Sequence, residues 1–325
     1  MKEQLLKIFN EHEGQYVSGE KISEALGCSR TAIWKHIDAL RKSGYELQSA
    51  PRKGYRLIKK GDSIQPHDIK SSLTTKRLGQ EQTYFESTES TQIIAHKLAQ
   101  EGVNEGHLVV ANEQTSGKGR LARKWYSRAG ASISMSVILR PKLSPQETPQ
   151  LTLLTAVAVV RAIKKQTGLS ADIKWPNDVL LNGKKVVGIL TEMQADPDFV
   201  HSVIIGIGIN VNHHATDLDS EILGIATSLA IEKGSDVDRA ALISVILLEL
   251  ETLYELYLTD GFSTIRTLWE THSNSIGTYL TAKTAKSSIY GFAKGISDEG
   301  CLLLEDQLGE VHQIYSADIE LMSNS

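Results

Sequence analysis

The sequence predicts an α+β protein with more than one domain, and three observations lead to this expectation. The chain has 325 residues, of which 41% are hydrophobic, so it can bury more than one core. The first sixty residues combine helical periodicity with two short alternating segments. The middle of the chain mixes strand-like and helix-like segments, whereas the last fifty residues alternate as short strands separated by glycines.

The N-terminal segment predicts three helices. Apolar residues recur at helical spacing, Ser18 is a candidate N-cap for the second helix, and Gly44 ends the third. The predicted helices are Lys2 to Glu11, Glu20 to Leu26, and a helix capped by Ser29 that runs to about Lys42.

The third helix and the residues after it have the pattern of a winged helix-turn-helix. Its buried stripe of Ile33, Ile37 and Leu40 leaves a polar and basic face on the other side. Two alternating segments, Tyr45 to Gln48 and Gly54 to Leu57, predict a wing with cations at its turn. We expect DNA contacts from Arg30, Thr31, Trp34, Lys35, Arg52 and Lys53.

The charge distribution favours the same interpretation. Residues 1–60 carry 12 Lys and Arg against 7 Asp and Glu, a net charge of +5, whereas the remainder carries −9. A basic front on an acidic body indicates an anionic partner for the front alone. The residues leave open a chance fluctuation, a small helical protein-interaction domain with solvated charges, and packing of Trp34 at the core edge. A linker is predicted over residues 59–66.

The central segment predicts a mixed sheet with long helices around it. One strand alternates Ile133, Met135, Val137 and Leu139 with serines, so we expect one apolar face. Asn182-Gly183 is typical of a two-residue hairpin turn. The other predicted strands are Thr83 to Phe85, Leu108 to Ala111, Asp172 to Trp175, Val179 to Leu181, Lys184 to Glu192 and Phe199 to Ile209. The predicted helices are a Ser90-capped helix through Gln100, Glu147 to Gln166, and Arg239 to Leu258.

A glycine-rich segment is the first candidate for a site. Gln114 to Arg120 follows a buried strand and sets a lysine and an arginine among glycines, which suits an anionic ligand. It lacks the GxxxxGK[ST] pattern of a Walker A loop. A mobile surface loop is the alternative.

Three further segments carry polar groups at the ends of predicted strands. Lys174 to Asp178 places Asn177 and Asp178 at a strand end, unless this is a structural Asx-turn. One of Lys184 and Lys185 should face inward and need an anion, unless both lie on an edge strand. Gly206 to Asn210 ends an apolar strand, but it is not GxGxxG and gives little support to a dinucleotide fold.

Other site classes find little support in the sequence. His213-His214 could suggest a metal, but adjacent histidines point apart on a strand. Cys28 and Cys301 have no CxxC spacing, so neither a disulfide framework nor a zinc site is indicated. No apolar h-region and no run of 18 apolar residues is visible, so we expect a cytoplasmic protein without membrane contact.

The last fifty residues predict a small SH3-like β-barrel. The predicted strands are Gly277 to Ala282, Ser288 to Ile296, Cys301 to Glu305 and Glu310 to Tyr315. We therefore expect three domains: a DNA-binding domain over residues 1–62, a catalytic domain over 66–272 and the barrel over 275–325.

In this order, the segments resemble the bacterial biotin–protein ligases, and the leading winged helix resembles that of the bifunctional members that also repress the biotin operon. The resemblance covers nearly the whole chain and rests on three sets of residues. These are Gly117 to Arg120 with Arg123-Lys124-Trp125, Lys174 to Asp178 with Lys185 to Ile189, and Gly206 to Asn210.

The resemblance implies a catalytic domain of the biotin/lipoate ligase type and a two-step reaction. Biotin and MgATP give biotinyl-5′-adenylate and pyrophosphate, and the adenylate then acylates a lysine of the biotin carboxyl carrier protein of acetyl-CoA carboxylase. ATP and Mg²⁺ are then required with biotin as substrate, and no tightly bound prosthetic group is expected. Because the carboxylate of biotin itself attacks the α-phosphate, the reaction needs no protein nucleophile.

The resemblance also implies roles for individual residues. Lys185, Arg120 and Lys118 would supply catalytic charge. Biotin would be bound by Ser90, Thr91, Gln92, Gln114, Lys118, Gly119, Arg120, Lys185 and Gly188. ATP or the adenylate would be bound by Arg123, Trp125, Asn177, Asp178 and Asn210.

The sequence departs from the family pattern at three places. The loop that the family writes GRGRRG reads GKGRLA from Gly117, so Lys118 keeps the charge and loses the bidentate fork of arginine. Gln92 stands where the family has asparagine. The aromatic residue expected against adenine is not evident near His213 to Gly224, where Ile225 or Ala226 stands.

Two other functions stay open at this point. A lipoate–protein ligase shares the related fold and an acyl-adenylate, but would not normally carry a winged helix. A non-enzymatic repressor could sense a small molecule, but it has no need of cations for a pyrophosphate leaving group. A DNA reader and a metabolite-activating site in one chain lead us to expect biotinyl-5′-adenylate as corepressor and a homodimer on two-fold operator DNA.

Overall fold

The computed structural model describes residues 1–42, 44–59, 62–217, 224–284 and 287–321. The predicted α+β class, with a winged helix-turn-helix, a mixed central sheet and a small C-terminal sheet, is confirmed. Two compact units comprise Met1–Thr74 with Asp238–Ser244, and Thr75–Val237 with Val245–Ser325. No helix in the described ranges has both the length and the apolar character needed to cross a membrane.

The first unit contains the three predicted helices and the wing, followed by a short helix that was not predicted. One core joins the helices through apolar side chains that recur at helical spacing, among them Leu5, Phe9, Ile22, Ile33 and Ile37. The elements are α1 (Lys2–Glu11), α2 (Gly19–Leu26), α3 (Arg30–Lys42), β1 (Glu46–Ala50), β2 (Gly54–Lys59) and α4 (Pro66–Ser72).

The wing needs a glycine at its second strand. β1 and β2 pair in antiparallel fashion, and Val17 adds an isolated bridge to Tyr55. Gly54 has a φ of +99°, and a Cβ there would lie 2.0 Å from the carbonyl oxygen of Val17. Only glycine fits a backbone approach this close, so Gly54 lets β2 lie directly against Val17, in the segment between α1 and α2.

The predicted linker is more structured than expected where the structure describes it. Residues 60–61 lie outside the described residues, but α4 begins at Pro66, at the end of the predicted range. Asp68 on α4 is buried and accepts hydrogen bonds from the hydroxyl groups of Tyr45 and Ser63. A buried carboxylate needs such partners, so α4 is tied to the residue that precedes β1.

A seven-stranded mixed sheet forms the centre of the second unit. Its order is β3-β4-β7-β11-β10-β9-β8, with β3 and β4 parallel and the other neighbours antiparallel. The strands are β3 (Gln82–Thr88), β4 (Leu108–Gln114), β7 (Ser132–Leu139), β8 (Asp172–Lys174), β9 (Asp178–Leu181), β10 (Lys184–Asp196) and β11 (Phe199–Asn210). A separate two-stranded ribbon joins β5 (Gly117–Lys118) to β6 (Lys124–Trp125).

Strand β7 has the expected apolar face, and its serine face is covered as well. All eight residues of β7 are buried, and Ser132, Ser134 and Ser136 are at most 1% exposed. Helix α5 (Thr91–Gln100) packs on β4, β7 and β11, and it buries Ala95 and Ala99 with Ile138 and Ile204. The serines are therefore covered polar groups, which must find hydrogen-bond partners inside the protein.

The remaining helices belong to the second unit, except that the longest of them begins with residues 239–244, which belong to the first unit. The helix Thr148–Thr167 packs against the helix Phe262–His272 and against β10, and it is buried over most of its length, as its apolar sequence predicts. The helices are α6 (Thr148–Thr167), α7 (Leu229–Lys233), α8 (Arg239–Asp260) and α9 (Phe262–His272). The predicted Asn182-Gly183 turn has φ values of +50° and +76°, as a type I′ turn requires.

The C-terminal residues form a five-stranded antiparallel sheet in the order β15-β14-β13-β12-β16. Four of its strands were predicted, and the fifth, β16, pairs with β12 and was not. The strands are β12 (Tyr279–Lys283), β13 (Ser288–Ile296), β14 (Leu302–Glu305), β15 (Val311–Ile314) and β16 (Asp318–Leu321). Strand β16 contributes directly to the site described next.

Candidate functional site

One cavity of about 380 Å³ lies in the second unit, between the ends of β10 and β11, the β5–β6 ribbon and β16. Its lining includes all the residues predicted to bind biotin: Ser90, Thr91, Gln92, Gln114, Lys118, Gly119, Arg120, Lys185 and Gly188. Of the residues predicted to bind the nucleotide, Arg123, Trp125, Asn177 and Asp178 line the cavity. The individual roles stay predictions, but the residues share one space.

Asn210 is the predicted site residue that does not line the cavity. Its side-chain amide donates to the carbonyl oxygen of Thr227 at 3.1 Å. The segment expected to supply an aromatic residue against adenine falls partly on residues 218–223, which lie outside the described residues. Ile225 is 70% exposed, and Ala226 forms a parallel bridge with Lys185.

The glycine-rich segment forms part of a two-stranded ribbon. Gly117 pairs with Trp125 and Lys118 with Lys124, and a short 3₁₀ turn over Arg120–Ala122 connects the two strands. A Cβ at Gly117 would lie 2.5 Å from the carbonyl oxygen of Trp125, which accounts for glycine at this position. This pairing favours a structured segment over the mobile surface loop that the sequence left open, and Arg120 and Arg123 also contact residues outside the ribbon.

Arg120 and Arg123 connect the ribbon to both sides of the cavity. The Arg120 guanidinium donates to Asn177 Oδ1 at 3.0 Å and to Ser316 Oγ at 2.7 Å. Burial lowers the pKa of Arg120 from its ordinary value, although nearby Asp178 opposes that shift. Arg123 forms a two-pronged ion pair with Asp318 on β16, whose pKa is lowered by this contact. Sequence reasoning missed Ser316 and Asp318, since no motif marks them.

Lys185 is held by backbone pairing on both sides, so the edge-strand alternative is contradicted. It pairs with Leu180 of β9, and its N–H donates to the carbonyl oxygen of Ile225 at 2.8 Å. Its Nζ lies 2.6 Å from Asp178 Oδ1, with both side chains partly exposed to the cavity. Lys185 is thus the inward lysine, and Asp178 supplies the anion that the sequence argument required.

Trp125 lies on a platform made by two glycines. Gly188 of β10 pairs with Gly208 of β11. A Cβ at Gly208 would lie 2.5 Å from the indole ring of Trp125, and one at Gly188 would lie 3.0 Å from it. Lys185 Nζ is 5.7 Å from the centre of the same ring. The glycines therefore let a large aromatic surface form one wall of the cavity beside the lysine.

The opposite end of the cavity is polar and neutral. Ser90 caps α5, and its hydroxyl accepts from the N–H of Gln92 at 3.3 Å. Gln114 Oε1 accepts from both the N–H and the hydroxyl of Thr91, at 2.8 and 3.1 Å. One end thus offers uncharged donors and acceptors, and the other offers cations. This arrangement suits a ligand with a polar ring at one end and an anion at the other.

Carboxylates also line the cavity, but among the described residues they are not close enough together to form a preformed metal site. Asp178, Asp318 and Glu320 line the cavity, and oxygen ligands of this kind suit Mg²⁺. Within the described ranges, the group of potential metal ligands that lie close together is Asp306, Glu310 and His312, which do not line the cavity. His213 is buried and His214 exposed, in agreement with adjacent side chains that point apart.

The predicted DNA-contacting residues form an exposed set in the first unit. Arg30, Thr31 and Lys35 are exposed along α3, and Arg52 and Lys53 are exposed at the wing turn. Trp34 is 55% exposed, which contradicts packing at the core edge. Beside the wing, the Tyr16 ring lies 4.8 Å from the Arg56 guanidinium and 6.0 Å from Lys53 Nζ.

Comparisons with known proteins agree with this geometry. A model of the biotin/lipoate A/B protein ligase family matches residues 84–210, and an HTH domain model matches residues 2–56. The bifunctional ligase/repressor BirA of Bacillus spizizenii is 53% identical over 321 residues, covering 99% of this chain and 98% of that protein. BirA of Escherichia coli is 29% identical, covering 95% of this chain and 94% of that protein.

A solved structure has a similar fold over most of the chain. The biotin protein ligase from Aquifex aeolicus in complex with biotin and ATP aligns with a TM-score of 0.64 and 29% identity. The alignment covers 75% of this chain and 99% of that chain. An apo structure of the Aquifex aeolicus ligase aligns with a TM-score of 0.61, 26% identity and the same coverage of both chains.

Proposed function

The chain belongs to the family of bifunctional ligase/repressors that includes BirA, and we propose that it attaches biotin to a lysine of a biotin carboxyl carrier protein in two ATP-dependent steps. One observation carries the proposal: Lys185 and Arg120 converge on one cavity whose other end is polar and uncharged. A neutral ring with an acidic tail, joined to a nucleotide phosphate, matches that distribution of charge. Biotin and ATP are the ligands named for the Aquifex aeolicus complex.

In the first step, a carboxylate oxygen of biotin attacks the α-phosphorus of MgATP. A new O–P bond forms, the bond from the α-phosphorus to the bridging oxygen breaks, and pyrophosphate leaves. Lys185 neutralises the two anions that must approach each other, and it exchanges its contact with Asp178 for contacts with substrate. Arg120 is held by Asn177 and Ser316 and needs little reorganisation to stabilise the same charge.

In the second step, the amine of a carrier lysine attacks the acyl carbon of the adenylate. An amide bond forms, the acyl–phosphate bond breaks, AMP leaves, and the amine loses a proton. The adenylate must be kept from water between the two steps. The β5–β6 ribbon suits this task, because Lys118, Gly119 and Arg120 lie at the cavity and Arg123 fastens the ribbon to β16.

A biotinylation assay with a carrier domain tests the proposal most directly. We expect transfer of labelled biotin to the carrier only with ATP and Mg²⁺, together with pyrophosphate release. An adenylate formed from lipoate alone would point to a lipoate–protein ligase instead. Biotin binding without pyrophosphate release, even with carrier present, would favour a sensor without enzymatic activity.

We further propose that the chain is a cytoplasmic repressor with biotinyl-5′-adenylate as corepressor. The support is the presence of an HTH domain and an adenylate-forming site in one chain. A two-fold operator requires two copies of the reader, so the adenylate should favour a homodimer. Gel filtration with and without adenylate tests this coupling: a free protein that stays monomeric after adenylate binding would contradict it.

A further inference from the structure

A buried chain of hydrogen bonds underlies the polar end of the cavity. Ser136 Oγ lies 2.9 Å from Thr91 Oγ1 and 3.0 Å from Gln92 Oε1. Ser136 is fully buried, and Gln92 is 5% exposed. Buried polar side chains are tolerated where their hydrogen bonds are satisfied, and such networks hold their members rigidly. The roles of donor and acceptor in this chain can be worked out from the backbone groups at its two ends.

At one end, backbone carbonyl groups fix the orientation of the Gln92 amide. Gln92 Nε2 lies 3.2 Å from the carbonyl oxygen of Ile204 and 3.4 Å from that of Leu190. Carbonyl oxygens only accept, so the NH₂ group must face them and Oε1 must face Ser136. Both N–H bonds of Gln92 are thus directed at the sheet, which leaves this side chain no donor for a ligand.

At the other end, a backbone N–H fixes the orientation of the Gln114 amide. The N–H of Thr91 donates to Gln114 Oε1, so the Thr91 hydroxyl beside it must donate to the same oxygen. Thr91 Oγ1 can then only accept from Ser136, which shares its single proton between Thr91 and Gln92. Gln114 therefore turns Nε2 away from Thr91 and presents N–H donors on its other side.

We propose that Gln92 and Ser136 are positioning residues that hold Thr91 and Gln114 in the orientation that recognises the biotin ring. This inference rests on the proposed function, since it supposes that the ring occupies the polar end. It changes the predicted role of Gln92 from direct contact to support. Gln114 then recognises an acceptor atom of the ring, and the acceptors in biotin are the ureido oxygen and the thioether sulfur.

The close approach of Gly206 to the Gln92 amide supports this positioning role. Gly206 pairs with Leu190, the residue whose carbonyl group accepts from Gln92. A Cβ at Gly206 would lie 2.6 Å from Gln92 Oε1. The strand therefore needs glycine at this position for the Gln92 amide to reach both carbonyl groups. The segment Gly206 to Asn210 thus contributes to the polar end of the cavity as well as to the platform under Trp125.

Ser136→Ala tests the positioning role by removing the shared proton. We expect the Kd for biotin, measured by calorimetry, to rise about tenfold, because two buried acceptors lose their donor. The KM for biotin should rise in parallel, whereas kcat at saturating biotin and the KM for ATP stay unchanged. The matched control is Ser202→Ala. Ser202 is fully buried, its hydroxyl donates to Gln194 Oε1 at 3.1 Å, and neither residue lines the cavity. This control variant should leave biotin binding unchanged.

Gln92→Met provides an independent variant of similar volume, which keeps the test open if Ser136→Ala does not fold. The double variant should bind biotin only slightly more weakly than the more strongly affected single variant, because both changes break the same chain of hydrogen bonds. Desthiobiotin keeps the ureido group and lacks the sulfur, so an equal loss for both ligands identifies the ureido oxygen as the acceptor. A loss confined to biotin identifies the sulfur, and either result supports the positioning role.

The failure of this inference differs from the failure of the proposed function. A wild-type protein that does not bind biotin would remove the proposed function and leave the network without this purpose. A wild type that binds biotin, together with unchanged affinity in both folded variants, would overturn the positioning role alone. Additive losses in the double variant would also overturn it, since independent effects do not share a chain.

Discussion

The cavity and the surface predicted to face DNA (Arg30, Thr31, Trp34, Lys35, Arg52 and Lys53) both concentrate positive charge, but they hold it in opposite ways. At the cavity, Lys185 pairs with Asp178 and Arg123 with Asp318, and Arg120 is fixed by two hydrogen bonds. On the surface predicted to face DNA, Arg30 and Arg52 are exposed, and neither forms an ion pair with another described residue. These three cavity cations are therefore preorganised, whereas Arg30 and Arg52 stay hydrated until a partner arrives.

This difference predicts how each region responds to substitution. A preorganised cation acts in a partly buried place where few other groups can replace it, so one substitution should have a large effect. The contacts of exposed cations with DNA phosphates add up, so each cation should contribute little to the affinity, and its contribution should depend on the salt concentration. The comparison fails if single substitutions at the two regions have effects of the same size.

The largest effect is expected for Lys185→Ala. Adenylate formation should fall by ~10²–10³ or more, because the cation between the carboxylate and the phosphate is lost. The rate of pyrophosphate release with biotin and ATP measures it, and the thermal unfolding midpoint should stay near that of the wild type. Lys184→Ala is the matched control, since Lys184 is the adjacent lysine of β10 and does not line the cavity. Normal turnover in Lys185→Ala would exclude this lysine from catalysis.

A smaller effect on a different step is expected for Arg120→Gly. This change removes the contacts with Asn177 and Ser316, so the ribbon should release the adenylate about tenfold faster or more. Dissociation of labelled biotinyl-adenylate from the purified protein measures the rate. Arg120→Lys keeps the charge without the guanidinium fork, so it should lie between the wild type and the glycine variant. Dissociation that is equally slow in all three proteins would show that Arg120 does not close the site.

Local pattern was sufficient for most of the elements. Helix α1 has the predicted bounds because its apolar spacing and ends are encoded within ten residues. Ser18 and Ser90 are N-caps as expected, each accepting a backbone N–H in the first turn of its helix. Local pattern did not bring the glycine-rich segment, Lys185 and the Asn177-Asp178 turn together. The resemblance to the biotin–protein ligases implied it, since each segment alone left a structural alternative open.

The parts that the sequence did not reveal depend on contacts between distant residues. Asp318 meets Arg123 across 195 positions, and β16 is a four-residue strand too short to stand out by alternation. Ser136 belongs to an alternating pattern that is also typical of a solvent-facing strand side. Only the position of α5 decides that this side is covered, and a local pattern does not contain that information.

The smallest effect is expected for a single cation of the wing. Lys53→Ala removes one exposed charge at the wing turn, so operator affinity should fall only a few-fold, and the slope of log K against log salt should become shallower by about 0.9. Fluorescence anisotropy with labelled operator DNA at several salt concentrations measures both quantities. Lys7→Ala is the matched control, because Lys7 is a lysine of α1 that pairs with Glu3 and was not predicted to contact DNA. An equal change of slope in both variants would indicate a general charge effect. A loss of operator affinity as large as the loss of activity in Lys185→Ala would mean that Lys53 acts as a preorganised group, like Lys185 in the cavity.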